Sequence, residues 1–260
     1  MRGKAVWITG AAGTLGRAIV HEYVRAGADV VASGRDLRRL AEVGEAAPGP
    51  GRIWPLTVDL TDRRSVDDAA ERIRERLGRI DVLVNSVALP VFGDLLDLED
   101  DQWLLAYDGK ALGYLRAMRA VLPTMIRASA GSIVNLSGTS AKLPSLPSHV
   151  PGSMTNAAVH VLTKAVADRY GADGIRANCV APGPIESPRW SEIQAANRQP
   201  EPIPAASAGV AEPAGARRSP YADHRPGHPE DVADTVLFLS RQTHINGSVI
   251  WVDGGVNPSL

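Results

Sequence analysis

The stretch Ala5 to Arg17, AVWITGAAGTLGR, decides the fold. Five residues suited to a buried strand run into glycines at 10, 13 and 16, and an amphipathic pattern from Leu15 to Ala26 follows at once. Strand, tight glycine turn and helix in immediate succession place first-turn N–H groups and the positive end of a helix dipole beside the end of a strand, an arrangement that receives a pyrophosphate. Gly10, Gly13, Thr14, Leu15 and Gly16 are therefore candidate cofactor-binding residues. A glycine turn serving structure alone is the competing reading; position near the start of the chain, between strand and helix, weighs against it.

Outward from that turn, short apolar runs alternate with helical patterns to the end of the chain. Strands are predicted at Ala5 to Thr9, Asp29 to Ala32, Ile53 to Val58, Asp81 to Asn85, Ser132 to Leu136, Arg176 to Val180 and Ser248 to Val252. Helices are predicted at Leu15 to Ala26, Leu37 to Ala46, Ser65 to Leu77, Asp100 to Arg127, Thr155 to Tyr170 and Pro229 to Ser240, with Thr61 or Ser65 as a cap of the third. The alternation predicts an α/β fold, a doubly wound parallel sheet of about seven strands of the Rossmann kind. One domain spans 1–260. Only 186–227, centred on PEPIPAASAGVAEPAGARR, breaks the rhythm, and reads as either a substrate lid or a mobile insertion.

Composition narrows the partner. The chain has 260 residues, 44% hydrophobic and 22% charged, with a net charge of −1, so nothing favours nucleic acid or an anionic membrane and a small molecule is the expected partner. Its one cysteine, Cys179, lies in an apolar run and reads as a small buried hydrophobe, which excludes a disulfide framework or a cysteine-built metal site. No targeting stretch and no apolar span of roughly 18 residues occurs, so a cytoplasmic location is expected.

At the end of the second strand the chain reads ASGRD, with no carboxylate where a dinucleotide fold meets the adenosine ribose. Gly34 leaves room and Arg35 offers a positive fork for a 2′-phosphate, which favours NADP over NAD. A solvated surface arginine is the alternative.

With these motifs in place, the chain resembles the short-chain dehydrogenase/reductase family along nearly its whole length. TGAAGTLG is similar to the family's glycine turn, with Thr14 where shorter members usually have glycine. VDLTD is similar to the adenine-contacting segment and implies a cofactor role for Asp59 and Leu60. VLVNSVA resembles the Asn-Asn-Ala-Gly strand end and retains Asn85. VAPGPIES resembles the segment facing the nicotinamide and implies Pro182, Gly183 and Ile185, with Ser187 for the usual Thr. The last helix and strand are similar too.

The family's chemistry, as the resemblance implies it, uses a tyrosine as proton donor, a lysine four residues later, a serine that polarises the carbonyl and an upstream asparagine. Matching the motifs puts Gly152 at the tyrosine position, Asn156 at the lysine position, Gly138 at the serine position and Lys110 at the asparagine position. No tyrosine occurs between Tyr114 and Tyr170, so no shift of register restores the pair. Candidate replacements are Thr139, Ser140, Ser153, Asn156, Lys110 and Tyr221, with His224 beside the last. His149, in LPSLPSHVPG, reads as a surface loop residue, and Lys164 as structural. Alternatively the substrate brings its own proton, as a ketone beside a phenol or enol does, a type found in aromatic polyketides. The expected function is ketone reduction with NADPH; a cyclase or dehydratase on the same scaffold, or a catalytically silent subunit, is the other possibility. The helices at Asp100 to Arg127 and Thr155 to Tyr170 resemble the family's oligomer interface, which implies a homo-oligomer.

Overall fold

The computed structural model describes residues 1–88, 90–142, 149–188, 191 and 225–255. Seven parallel strands form one sheet: β1 (Ala5–Thr9), β2 (Asp29–Gly34), β3 (Arg52–Thr57), β4 (Val82–Asn85), β5 (Gly131–Leu136), β6 (Ile175–Pro182) and β7 (Val249–Val252), in the order β3-β2-β1-β4-β5-β6-β7. β1 is buried along its whole length, as a strand covered by helices on both faces must be. Pro55 lies in β3, an edge strand, where its missing N–H removes no ladder bond on the open side.

Among the described residues, helices with intervening short turns cover the two faces. One apolar layer joins α1 (Thr14–Arg25), α2 (Leu37–Glu45) and the last helix to residues such as Val6, Ile8 and Val84. The other joins α3 (Arg63–Leu77), α5 (Gly113–Arg127) and α6 (Val150–Tyr170) to Trp7, Leu83 and Ile133. α4 (Asp100–Tyr107) lies between β4 and α5, and α7 (Pro229–Arg241) precedes β7. The expected α/β doubly wound sheet is present.

Three local expectations need correction. The predicted helix from Asp100 to Arg127 is interrupted: α4 and α5 are separated by a π turn at Asp108–Leu112. Glycines at 109 and 113 weaken the regular ladder there, and Arg116 draws on the interrupted turn, its guanidinium donating to the Asp108 carboxylate at 2.7 Å and to the carbonyls of Asp108 and Leu60 at 3.3 and 2.9 Å. The helix predicted from Thr155 begins five residues earlier, at Val150. Pro151 looks like a breaker, but it sits in the first turn, where its missing N–H has no helical acceptor in any case. α3 is capped by Asp62, whose carboxylate accepts from the Arg64 N–H at 2.9 Å, rather than by Thr61 or Ser65.

A buried polar ladder crosses the sheet. Thr9 Oγ1 donates to Asn85 Oδ1 at 3.2 Å, Asn85 Nδ2 to Asn135 Oδ1 at 2.9 Å, and Asn135 Nδ2 to Thr163 Oγ1 at 3.0 Å, which donates to the Val159 carbonyl at 2.7 Å. It ties β1, β4 and β5 to α6 in one register.

Candidate active site

The strand order reverses between β1 and β4, and ligands of doubly wound sheets bind beyond the carboxyl ends of the strands at such a point. Two glycines shape the turn there. Gly10 has φ +66° and a side chain at that position would meet the Ser86 carbonyl at 2.5 Å; at Gly16 a Cβ would run into the Gly10 carbonyl and reach Ala11 Cα at 2.8 Å. Gly13 is the N-cap of α1 without a side-chain cap, so a ligand can take the first-turn N–H groups of Thr14, Leu15 and Gly16. A backbone cradle against a helix start, kept bare of side chains, fits a pyrophosphate.

On the β2 side Arg35 is exposed at the strand end, and Arg39 reaches back across the turn, donating to the Ala12 carbonyl at 3.2 Å. Asp36 caps α2 by accepting from the Arg39 N–H at 3.2 Å. Beyond β3, burial pushes the Asp59 carboxyl up, but hydrogen bonds from the Thr61 N–H and hydroxyl at 2.9 and 2.8 Å, with the charges of Arg35 and Arg116, outweigh this and hold it below its ordinary value. Leu60 is buried beneath it. Asn85 is wholly buried, with its side chain in the ladder. At the end of β6, Gly183 donates to the Val252 carbonyl at 2.9 Å, and a Cβ there would meet Asp253 Cβ at 2.7 Å, so Pro182 and Gly183 bring two strand ends together.

The segment 186–227 leaves and rejoins this edge at a common root: Ile185 pairs with Gly227 in a parallel bridge, the Glu186 N–H donates to the Gly227 carbonyl at 2.9 Å, and Glu186 pairs with His228 at 3.2 Å. Tyr221 and His224 lie outside the described residues.

Between α6 and the π turn, Lys110 and Asn156 meet. Both are buried, at 6% and 5% exposure, and the Lys110 ammonium donates to Asn156 Oδ1 at 2.6 Å. Asn156 Nδ2 then donates to Ser140 Oγ at 3.1 Å. Lys110 is thus a buried ammonium with an amide oxygen among its partners, as a charge kept out of water requires. A Cβ at Gly138 would sit 2.8 Å from Asn156 Nδ2, so the amide occupies the space a side chain at 138 would enter. Thr139 starts the 3₁₀ turn Thr139–Ala141, which carries Ser140.

One turn earlier on α6, a side chain at Gly152 would collide with the His149 imidazole, whose Cε1 lies 2.8 Å from the Cβ position. The ring is half-buried and stacks on Phe92 with centroids 5.7 Å apart. His149 is therefore no surface loop residue. It is the N-cap of α6, and buried Ser153 donates to its carbonyl at 3.1 Å. One turn beyond Asn156, His160 Nε2 meets Ser137 Oγ at 2.8 Å, and burial, then the charge of Lys110, push its pKa down. Cys179 Sγ lies 3.1 Å from the same hydroxyl and is buried as expected; burial raises its thiol to about 11, so it stays protonated. Lys164 pairs with Asp168 on an exposed face, in keeping with a structural role.

Sheet order, glycine cradle and polar cluster at the strand ends together define an oxidoreductase of the dinucleotide-binding class. The chain belongs to the short-chain dehydrogenase/reductase family. Residues 10–257 match the family model described as enoyl-(acyl carrier protein) reductase. A 3-oxoacyl-[acyl-carrier-protein] reductase, FabG, of Thermotoga maritima is 31% identical over 98% of both chains, and the rat dehydrogenase/reductase SDR family member 6 is 30% identical over 98% of both. Among solved structures, a 3-oxoacyl-[acyl-carrier protein] reductase from Brucella melitensis with bound NAD superimposes with a TM-score of 0.82 at 26% identity, over 99% of this chain and 92% of that one.

Two features went unseen in sequence. The bond from Lys110 to Asn156 joins two residues that the motif match singles out separately, and that was the signal available. The contact of His149 with Gly152 had only a weaker sign, a histidine three residues before the glycine.

Proposed function

We propose that this chain is an NADPH-dependent ketoreductase that works without the family's tyrosine and lysine pair, on a ketone that carries an adjacent aromatic or enolic hydroxyl, as aromatic polyketides do. The observation that carries the reading is the 2.6 Å bond from Lys110 to Asn156: the positive charge of the site is kept, delivered from the π turn instead of from α6. The relatives named as 3-oxoacyl reductases support ketone reduction as the chemistry.

Gly10, Gly13, Thr14, Leu15 and Gly16 would hold the pyrophosphate, Asp59, Leu60 and Asn85 would flank the adenosine side, and Pro182, Gly183 and Ile185 the nicotinamide side. When bound, the reduced nicotinamide supplies a hydride to the carbonyl carbon. Lys110 keeps its charge on the buried ammonium and would polarise the Asn156–Ser140 chain toward the carbonyl oxygen as that becomes negative, and dipoles set in advance are a large contributor to such rates. The substrate's own hydroxyl hydrogen-bonds to the same oxygen and shares that task.

Arg35 and Arg39 favour the phosphorylated cofactor. Replacing both by alanine should weaken NADPH at least about tenfold, since charge-assisted bonds to phosphate are each worth about 1.5–3 kcal/mol, and shift NADH less than about threefold. Fluorescence titration of the two cofactors checks this; equal losses for both would remove the preference.

The reading as a whole is tested by following NADPH oxidation with an ortho- or peri-hydroxy ketone and with its methyl ether. The ether should react at least about tenfold more slowly, the cost of roughly one lost hydrogen bond to a charged oxygen. Equal rates would remove the substrate hydroxyl from the mechanism, and a chain that binds neither NADPH nor NADH would overturn the reductase reading.

A further inference from the structure

We infer that Arg116 is a positioning residue of this site: it clamps the π turn to the segment after β3 and so sets the place from which Lys110 reaches Asn156. What the clamp does for catalysis rests on the ketoreductase reading; the placement itself does not.

Lys110 stands inside the π turn Asp108–Leu112, between two anchors. At the start of the turn, Arg116 Nη2 donates to the Asp108 carboxylate at 2.7 Å and Nη1 to the Asp108 carbonyl at 3.3 Å. The same Nη1 donates to the Leu60 carbonyl at 2.9 Å, so one guanidinium joins the turn to a residue 56 positions away in sequence. Just past the turn, Gly113 lies so close to Leu60 that a Cβ there would stand 2.9 Å from the Leu60 Cβ. Leu60 is buried and is thus the fixed point to which both ends of the interruption are referred. Arg116 is only 20% exposed, and a planar fork that meets three oxygens at once is a clamp that a flexible ammonium does not reproduce.

π turns occur mostly as single bulges within α-helices, frequently at functional sites. Without the clamp, the competing arrangement is the regular α ladder, in which successive residues are turned about the axis by roughly 100°. Drawing the extra residue into that ladder would re-aim Lys110 away from Asn156 Oδ1, which its ammonium reaches at 2.6 Å. A histidine reports where that ammonium stands. His160, one turn beyond Asn156 on α6, is held below its ordinary pKa first by burial and then by the charge of Lys110, and the charge of Arg116 is not among the causes. The groups His160 touches, the Ser137 hydroxyl at 2.8 Å and the Trp251 ring with centroids 5.6 Å apart, are uncharged.

The test uses the full chain and reads the His160 titration by NMR alongside turnover of the hydroxy ketone with NADPH. R116M should raise the His160 pKa in the same direction as K110M, and K110M/R116M should raise it no further than K110M alone, because both act through one charge. In kcat, R116M should lose about tenfold or more, since misplacing a catalytic group by about one ångström can cost a hundredfold, while NADPH affinity stays within about threefold and the melting transition remains cooperative. R116K keeps the charge but not the fork and should fall between wild type and R116M in both readings. R116Q is the second variant should R116M fail to fold. A folded R116M or R116Q whose His160 titrates as in the wild type overturns the inference whatever its turnover, as does a double variant that moves His160 beyond K110M. A shifted His160 with kcat within about twofold of wild type upholds the clamp and overturns the role given to Lys110 in the reaction. A wild-type chain that binds NADPH but reduces no ketone overturns the reductase reading, and the titration then decides the inference by itself.

Discussion

Replacing Lys110 by methionine should lower kcat for ketone reduction about a hundredfold, with the fold intact. Methionine keeps most of the buried stem, so packing changes little, but it removes the ammonium and leaves Asn156 Oδ1 without the donor that reaches it at 2.6 Å. Loss of one group that stabilises a developing oxyanion costs on the order of 10²–10³ in kcat. A second readout isolates the charge. His160 is held below its ordinary pKa first by burial and then by Lys110, so K110M should raise it toward 6.5 while burial still keeps it lower, visible in an NMR titration. The reciprocal variant K110N/N156K exchanges the two residues across the same contact, and should recover more activity than either single change, as a double-mutant cycle would register. If K110M turns over at the wild-type rate, Lys110 has no part in the chemistry; if the two singles and the double add without coupling, the exchange is incidental.

The largest effect on stability is expected at Asn135. In N135A the Asn85 amide loses its acceptor and Thr163 loses a donor, all inside a fully buried ladder, and a cavity opens beside Met118. An unpaired buried polar group costs about 1–3 kcal/mol, and the lost packing adds to it, giving a loss of about 3 kcal/mol. That corresponds to roughly 6–10 °C in melting temperature for a chain of this size. Urea unfolding measures it directly. A loss below about 1 kcal/mol would show that the ladder relaxes onto other partners. N135L, which refills the volume, should not rescue, because the amide of Asn85 remains unsatisfied.

The sheet was legible because its central strands, such as β1 and β4, are buried along their length and carry short apolar runs followed by a helix period; β1 and the glycine turn needed no tertiary information. Boundaries failed where two signals compete. The helix expected from Thr155 begins at Val150 instead, with Pro151 as a first-turn residue. The π turn was hidden because Gly109 and Gly113 are compatible with a helical pattern, and what opens the turn is Arg116 reaching Leu60, a contact with a distant segment. The glycine turn between β1 and α1 was readable from its local motif. The bond between Lys110 and Asn156 was not, because the two are 46 residues apart and it depends on the packing of α6 against the π turn. His149 escaped for the opposite reason: its partner is only three residues away, but across a helix start whose position was misplaced.

The root at Ile185 and Gly227 bears on how such a protein diversifies. Because the two chain ends are stitched to each other at the sheet's edge, the distance between Ile185 and Gly227 is set by the root itself. Doubling the length of such a loop costs only about 0.6 kcal/mol in closure entropy. A root closed on itself in this way lets chain length between its two ends change with little demand on the sheet edge that carries it.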